Sequence, residues 1–235
     1  PESTERPRGG LPDARAPEST DFLGVAEDSG LIVPLGERVL RDACAQGAAW
    51  RRSWPELGLS VNLSARQIIA PGFPDRLAAI LAETGLPPQA LTVEVDERIL
   101  IADGALVTER LAGLRRAGVR LAIDNFGTGY ASLACLRQLP LDTIKLDPSF
   151  VAGLGRDDSL TVLTQAVVRA GGELGLQVIA EGIEEPRQLA VLRKMGCRHG
   201  QGYLLAAPTA APGMAALMGP SGINVSECET TRATG

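Results

Sequence analysis

The chain of 235 residues holds a single histidine and four cysteines, too few and too scattered for the chemistry those residues usually announce. Cys44, Cys135, Cys197 and Cys228 form no close pair. They fit neither a disulfide framework nor a Cys/His zinc site, and a reducing compartment is the default. His199, standing alone, is read as structural. No apolar run approaches the roughly 20 residues a membrane span needs, and no signal-peptide pattern opens the chain. A soluble, cytoplasmic protein is therefore expected. Basic residues are in deficit, 23 Lys and Arg against 28 Asp and Glu, for a net charge of −5. The basic stripe that tracks a phosphate backbone is missing, which argues against polymeric nucleic acid as a partner. A small anionic ligand stays open if metal ions stand between it and carboxylates.

What is present suffices for one sizeable core, with 45% apolar residues. Residues 1–20 and the tail 219–235 are rich in small, polar and charged residues without periodicity, and read as a disordered arm or linker and a disordered tail. Between them, residues 21–218 alternate short β-rich runs with amphipathic stretches. The runs are Leu59–Leu63, Leu91–Val95, Val119–Asp124, Thr143–Asp147, Leu176–Ala180 and Gly200–Leu204. Helical periodicity fills the gaps at Leu77–Glu83, Ala105–Ala117 and Ser159–Leu174, and Gly85 and Gly118 serve as stops. Such alternation implies an α/β fold with a parallel sheet covered by helices. Nearly every run ends in or leads to a polar residue: Asn62, Glu94, Asp124, Lys145, Glu181 and Gln201. An open doubly wound sheet concentrates ligand residues at one switch point, whereas a TIM-like barrel collects them from every strand. The pattern favours the barrel.

Glu94 lies inside an apolar strand and Asp124 ends one. A buried charge there costs several kcal/mol unless paired or metal-bound. One such carboxylate is read as a salt bridge or a helix cap; Asn62, Glu94 and Asp124 on consecutive strands together favour a hard divalent cation, Mg²⁺ or Mn²⁺. The turn Asp124–Tyr130 carries a GxG that could cradle phosphate, but alone that signal is weak and a tight turn explains it better. Lys145, in mid-strand, is either paired or snorkelling, or else stabilises phosphoryl oxygens. Glu181 either caps the helix beginning near Glu185 or belongs to the site.

In order, the segments VNLS (61–64), VEVDE (93–97), IDNFGTGYASL (123–133), IKLDPSF (144–150), AEGIE (180–184) and QGYLLAAP (201–208) closely resemble the EAL domain. AEDSGLIVPLG (26–36) resembles the family's first long helix. The resemblance covers roughly residues 21–218. It implies a TIM-like (β/α) barrel that linearises cyclic-di-GMP to pGpG with two divalent cations, one activating water and both stabilising charge on the phosphodiester. By the same resemblance, Asn62, Glu94 and Asp124 match ligands of the first metal, and position 125, usually aspartate, matches a ligand of the second. Lys145 matches the lysine near the attacking water and phosphate, and Glu181 a glutamate at the second metal. Gln201 matches the glutamine that orients water or ligand, and Glu97 the glutamate that holds the loop Phe126–Ser132. A homodimer through the helix near that loop is also implied.

Two departures follow. Asn125 removes a formal charge from the second metal site and so weakens it. The opening strand hairpin with the Glu-Ala-Leu segment has no match, and only Arg8-Gly9-Gly10 echoes the loop after it. Six runs where the family barrel has eight strands imply an incomplete barrel with two exposed edges. Three functions follow from this reading: a cyclic-di-GMP phosphodiesterase, a non-catalytic module that binds the nucleotide or a protein partner, or a fragment without independent function.

Overall fold

A computed structural model describes residues 19–99, 104–128, 136–137 and 139–218. The arm up to residue 18, the tail 219–235, Cys135, Cys228 and the loop positions Gly129–Ser132 lie outside the described residues. Six strands, β1 (Leu59–Leu63), β2 (Leu91–Asp96), β3 (Arg120–Phe126), β4 (Thr143–Leu146), β5 (Gln177–Ala180) and β6 (His199–Gly200), form one sheet in chain order. Every neighbouring pair is parallel. A sheet that advances by one strand at each crossover never reverses, so it has no switch point; this is the winding of a TIM-like barrel. Among the described residues, β1 and β6 each have one partner only.

Register sorts the two faces. Val61, Val93, Leu121 and Val95, Ile123, Ile144, Val178 stand level across the sheet and are buried under the helical layer. That layer comprises α1 (Ser19–Asp28), α2 (Ile32–Arg51), α3 (Ala65–Ile69), α4 (Phe73–Thr84), α5 (Gly104–Arg116), α6 (Pro148–Ala152), α7 (Asp158–Glu173), α8 (Pro186–Lys194) and α9 (Ala211–Leu217). Leu40 of α2, Ile80 of α4, Leu111 of α5 and Val167 of α7 join the same core. By strict alternation, the opposite face carries Asn62, Thr92, Glu94, Asp96, Ala122, Asp124, Thr143 and Lys145. The sheet thus has one apolar face sealed by helices and one polar face, as a barrel lining requires. None of the described helices is long and apolar enough to cross a membrane.

Local chemistry explains the punctuation. Ser64 and Gln67 close a capping box at the start of α3, and Gly85 ends α4 at φ 70°. Glu185 and Gln188 form the capping box of α8, so the cap of that helix is Glu185 and Glu181 is left for other work. One run differs from its sequence reading. The last strand is His199–Gly200, and Gln201–Leu205 turns away instead of extending. The cause is a close approach at Gly202, where a Cβ would stand 2.2 Å from the backbone N and O of Ile183. Ile183 N donates to Gln201 O and Leu204 N to Ile183 O, fixing the turn.

Candidate functional site

Lys145 is the hub of the polar face. Its Nζ lies 2.6 Å from Glu94 Oε2, 2.7 Å from Glu181 Oε1 and 3.2 Å from Asp124 Oδ1. The side chain is 7% exposed, so it is paired and does not snorkel. Glu94 comes from β2, Asp124 from β3, Lys145 from β4 and Glu181 from the residue after β5. All four stand at or near the C-terminal ends of parallel strands, where such a sheet exposes its side chains to ligand.

Three carboxylates facing one ammonium leave two negative charges over. Glu94 Oε2 receives a hydrogen bond from Lys145. Glu181 Oε1 and Asp124 Oδ1 face the same ammonium as ion pairs, and neither buried oxygen has another partner among the described residues. The consequences appear in the protonation equilibria. Burial pushes the Glu181 carboxyl above its ordinary range, the Lys145 ammonium opposes this, and Asp124 and Glu94 reinforce it. Burial alone would lower Lys145, but its bonds to Glu181 and Glu94, with the field of Glu94 and Asp124, raise it well above the usual lysine value. The carboxylates thus favour the ammonium form of Lys145.

A double negative excess, hard oxygen donors and two buried oxygens that share one ammonium fit a divalent cation in chemistry. Among the described residues, no three His, Cys, Asp or Glu side chains already converge as a metal cage; the carboxylates converge on Lys145.

Around this hub, Glu97 is fully buried and its Oε2 accepts from Gly127 N at 2.7 Å and Thr128 N at 3.3 Å. Those two amides are thereby spent, so the glycine-rich turn reads as a tight turn and not as a phosphate cradle at its first half. Gly127 is obligatory there, with φ 99° and a Cβ that would meet Phe150 at 2.2 Å. Asn125 holds a left-handed backbone at φ 54°, which asparagine tolerates better than most residues. Its Nδ2 donates to Asp96 Oδ2 at 3.3 Å. Asp96 also receives Arg98 through Nε at 2.8 Å and Nη2 at 2.9 Å, and the Arg98 side-chain bonds hold its carboxyl below the usual range.

Asn62 stands level with Glu94 in register but is exposed, because β1 is an edge among the described residues. Gln201 is exposed beyond β6, tied by its backbone to Ala180 O at 2.9 Å. His199 lies exposed on β6, its carbonyl accepting from Cys197 Sγ. The Cys44 and Cys197 thiols are free and buried, and burial pushes Cys44 up to about 11 and Cys197 in the same direction. Reading the sequence singled out every member of the hub but passed over Asp96 and Ala122. Period two along β2 puts Asp96 on the face of Glu94, a signal sufficient to have included it.

Comparison with known proteins agrees with this geometry. The model of the EAL domain matches residues 6–208. An uncharacterised signalling protein of Caulobacter vibrioides is 42% identical over 188 residues, covering 80% of this chain and 23% of that protein. The cyclic di-GMP phosphodiesterase PdeR of Escherichia coli is 39% identical over 191 residues, covering 81% of this chain and 29% of PdeR. The chain thus spans about a quarter of the length of these two curated relatives. The solved complex of the PaMucR phosphodiesterase with c-di-GMP superposes with a TM-score of 0.79 at 36% identity, covering 85% of this chain and 83% of that one.

Proposed function

The chain belongs to the EAL domain family, whose phosphodiesterases are generally dependent on divalent metal ions, and from that premise we propose that it binds cyclic-di-GMP over the polar mouth of its sheet and hydrolyses one phosphodiester to linear pGpG. The observation that carries the reading is the buried Glu94–Asp124–Glu181 cluster around Lys145, with its excess of two negative charges. Glu94, Asp124 and Asn62 would hold one Mg²⁺ or Mn²⁺, and Glu181 with Asn125 a second. Bound there, the cations would supply a nucleophile at neutral pH and neutralise charge on the phosphodiester. Lys145, whose ammonium form those carboxylates favour, attracts phosphoryl oxygens. Glu97 holds the turn that carries Asp124 and Asn125 at fixed distance from the hub. Gln201, exposed at the rim, orients ligand or water. The reading takes residues 21–218 as the domain, in the cytoplasm and as a homodimer, which sedimentation velocity checks.

The test is incubation of the chain with cyclic-di-GMP and Mn²⁺, with chromatography for the linear dinucleotide. Sustained turnover, lost on chelation, supports the reading; a folded chain without turnover overturns it.

Asn125 favours a second reading, a non-catalytic module that binds the nucleotide or a protein partner. The neutral amide lowers the charge offered to the second cation. Calorimetry with cyclic-di-GMP and Ca²⁺ separates the two: binding without turnover in Mn²⁺ selects the module.

A further inference from the structure

Asn125 has two chemically distinct faces, a donating NH₂ and an accepting carbonyl, and which one faces a cation pocket decides whether the residue can ligate at all. Neighbouring groups decide that orientation. Asp96 stands level with Asp124 across the β2–β3 ladder and presents Oδ2 at 3.3 Å from Asn125 Nδ2. As a carboxylate held by two bonds from the Arg98 guanidinium, Asp96 is an acceptor only, so the amide can meet it only through its nitrogen. Among the described residues no donor reaches Asn125 Oδ1. The left-handed backbone at Asn125 fixes the stem of the same side chain.

We propose that Asp96 is a positioning residue: its carboxylate captures the Asn125 NH₂ and thereby commits the Asn125 carbonyl oxygen to the cation pocket. Arg98, in turn, keeps Asp96 ionised and aligned. The arrangement lets a neutral amide act as an oxygen donor while the negative charge stands one strand over, on β2. This rests on the functional reading above, since it assumes that a divalent cation visits the pocket. The capture of the amide does not depend on it.

Two readouts on the full chain keep the two apart. The side-chain amide signals of Asn125, identified in ¹⁵N NMR by their disappearance in N125D, report the hydrogen bond without any metal. In D96A those signals move toward free-asparagine positions and exchange faster, and R98Q, which releases Asp96 from its guanidinium, shifts them less in the same direction. Unchanged Asn125 amide signals in D96A overturn the proposal. The second readout is calorimetry with Mn²⁺ alone. D96A and D96N, in which the amide is no longer committed, bind Mn²⁺ about 10-fold more weakly, in line with the usual loss when a group that orients a ligand is removed. The swap D96N/N125D, which preserves the hydrogen bond with the charge moved to position 125, restores the affinity. Wild-type affinity in D96A, or a swap no tighter than D96N alone, overturns the proposal. A wild-type chain that takes up no Mn²⁺ overturns the functional reading and the cation half of the proposal with it, leaving the amide capture to be decided by NMR.

Discussion

Lys145 on β4 reaches Glu94 on β2 at 2.6 Å across the whole width of β3. The strand between is low at that point: Ala122 stands level with both Glu94 and Thr143 and is 1% exposed. A methyl there leaves room for the lysine stem and its partner to meet over it.

Substituting that methyl is the first prediction. Leu at position 122 would overpack the gap, costing about 1–3 kcal/mol, and would part Lys145 from Glu94. Urea denaturation of A122L should show the loss, and A122L should also lose turnover of cyclic-di-GMP. A variant with wild-type stability and turnover would show that the pair does not depend on the small residue. A122G, which keeps the room, should retain the pair.

Removing the hub is more severe. K145M leaves the buried Glu94 and Glu181 and the half-buried Asp124 together without their cation. Breaking a buried pair from one side costs about 3–5 kcal/mol, because the remaining charges are uncompensated. The expected result is a strongly lowered midpoint in urea and no turnover. Mn²⁺ should recover part of the lost stability, since a cation held by those carboxylates binds the folded chain only. A midpoint of K145M that does not move with Mn²⁺ would argue that the carboxylates do not hold it.

Much of this was legible before any coordinates. Five of six strands stand within a few residues of their β-rich runs, because valine and isoleucine runs between glycine stops are a local signal. Hub membership was also legible, since strand ends of one polarity share one mouth. The last strand was not: Gln201–Leu204 carries strand-forming residues, and what bends it is the backbone of Ile183 pressed against Gly202, a contact distant in sequence. Nor was the orientation of Asn125. It depends on a left-handed turn and on the register that sets Asp96 beside it, and neither is written in the Asp-Asn-Phe-Gly segment itself. That Lys145 would sit at the centre of three carboxylates required the same knowledge of register.

The pH dependence of the cation-free chain should carry the mark of Glu181. Its folded-state carboxyl titrates above the ordinary glutamate range because burial disfavours its charge. A group with a raised folded pKa binds its proton more tightly when folded, so its contribution to stability is full below the unfolded value. That contribution is lost as pH rises through the folded one. Wild-type stability should therefore decline from Glu181 as pH climbs above the ordinary glutamate value, and E181Q should flatten that decline. Urea midpoints at a series of pH values compare the two. Parallel curves for wild type and E181Q would remove Glu181 as the source.

Glu97 offers the most local test, because its effect should be confined to one turn. The residue is fully buried, and its Oε2 serves the amides of Gly127 and Thr128 at once. Alanine would leave both amides without their charged acceptor, a loss of about 1.5–3 kcal/mol. It would also release the turn that aims Asp124 and Asn125. Hydrogen exchange should then accelerate at Gly127 and Thr128 while strand amides such as those of Val93 and Ile144 keep their protection relative to the new global stability. E97Q retains a carbonyl oxygen at the same place and should recover much of the protection, because geometry survives where charge does not. Turnover of cyclic-di-GMP should follow the same order, wild type above E97Q above E97A. If E97A lost turnover with the exchange of the turn unaltered, Glu97 would be touching the ligand, and its part would be chemical instead of structural.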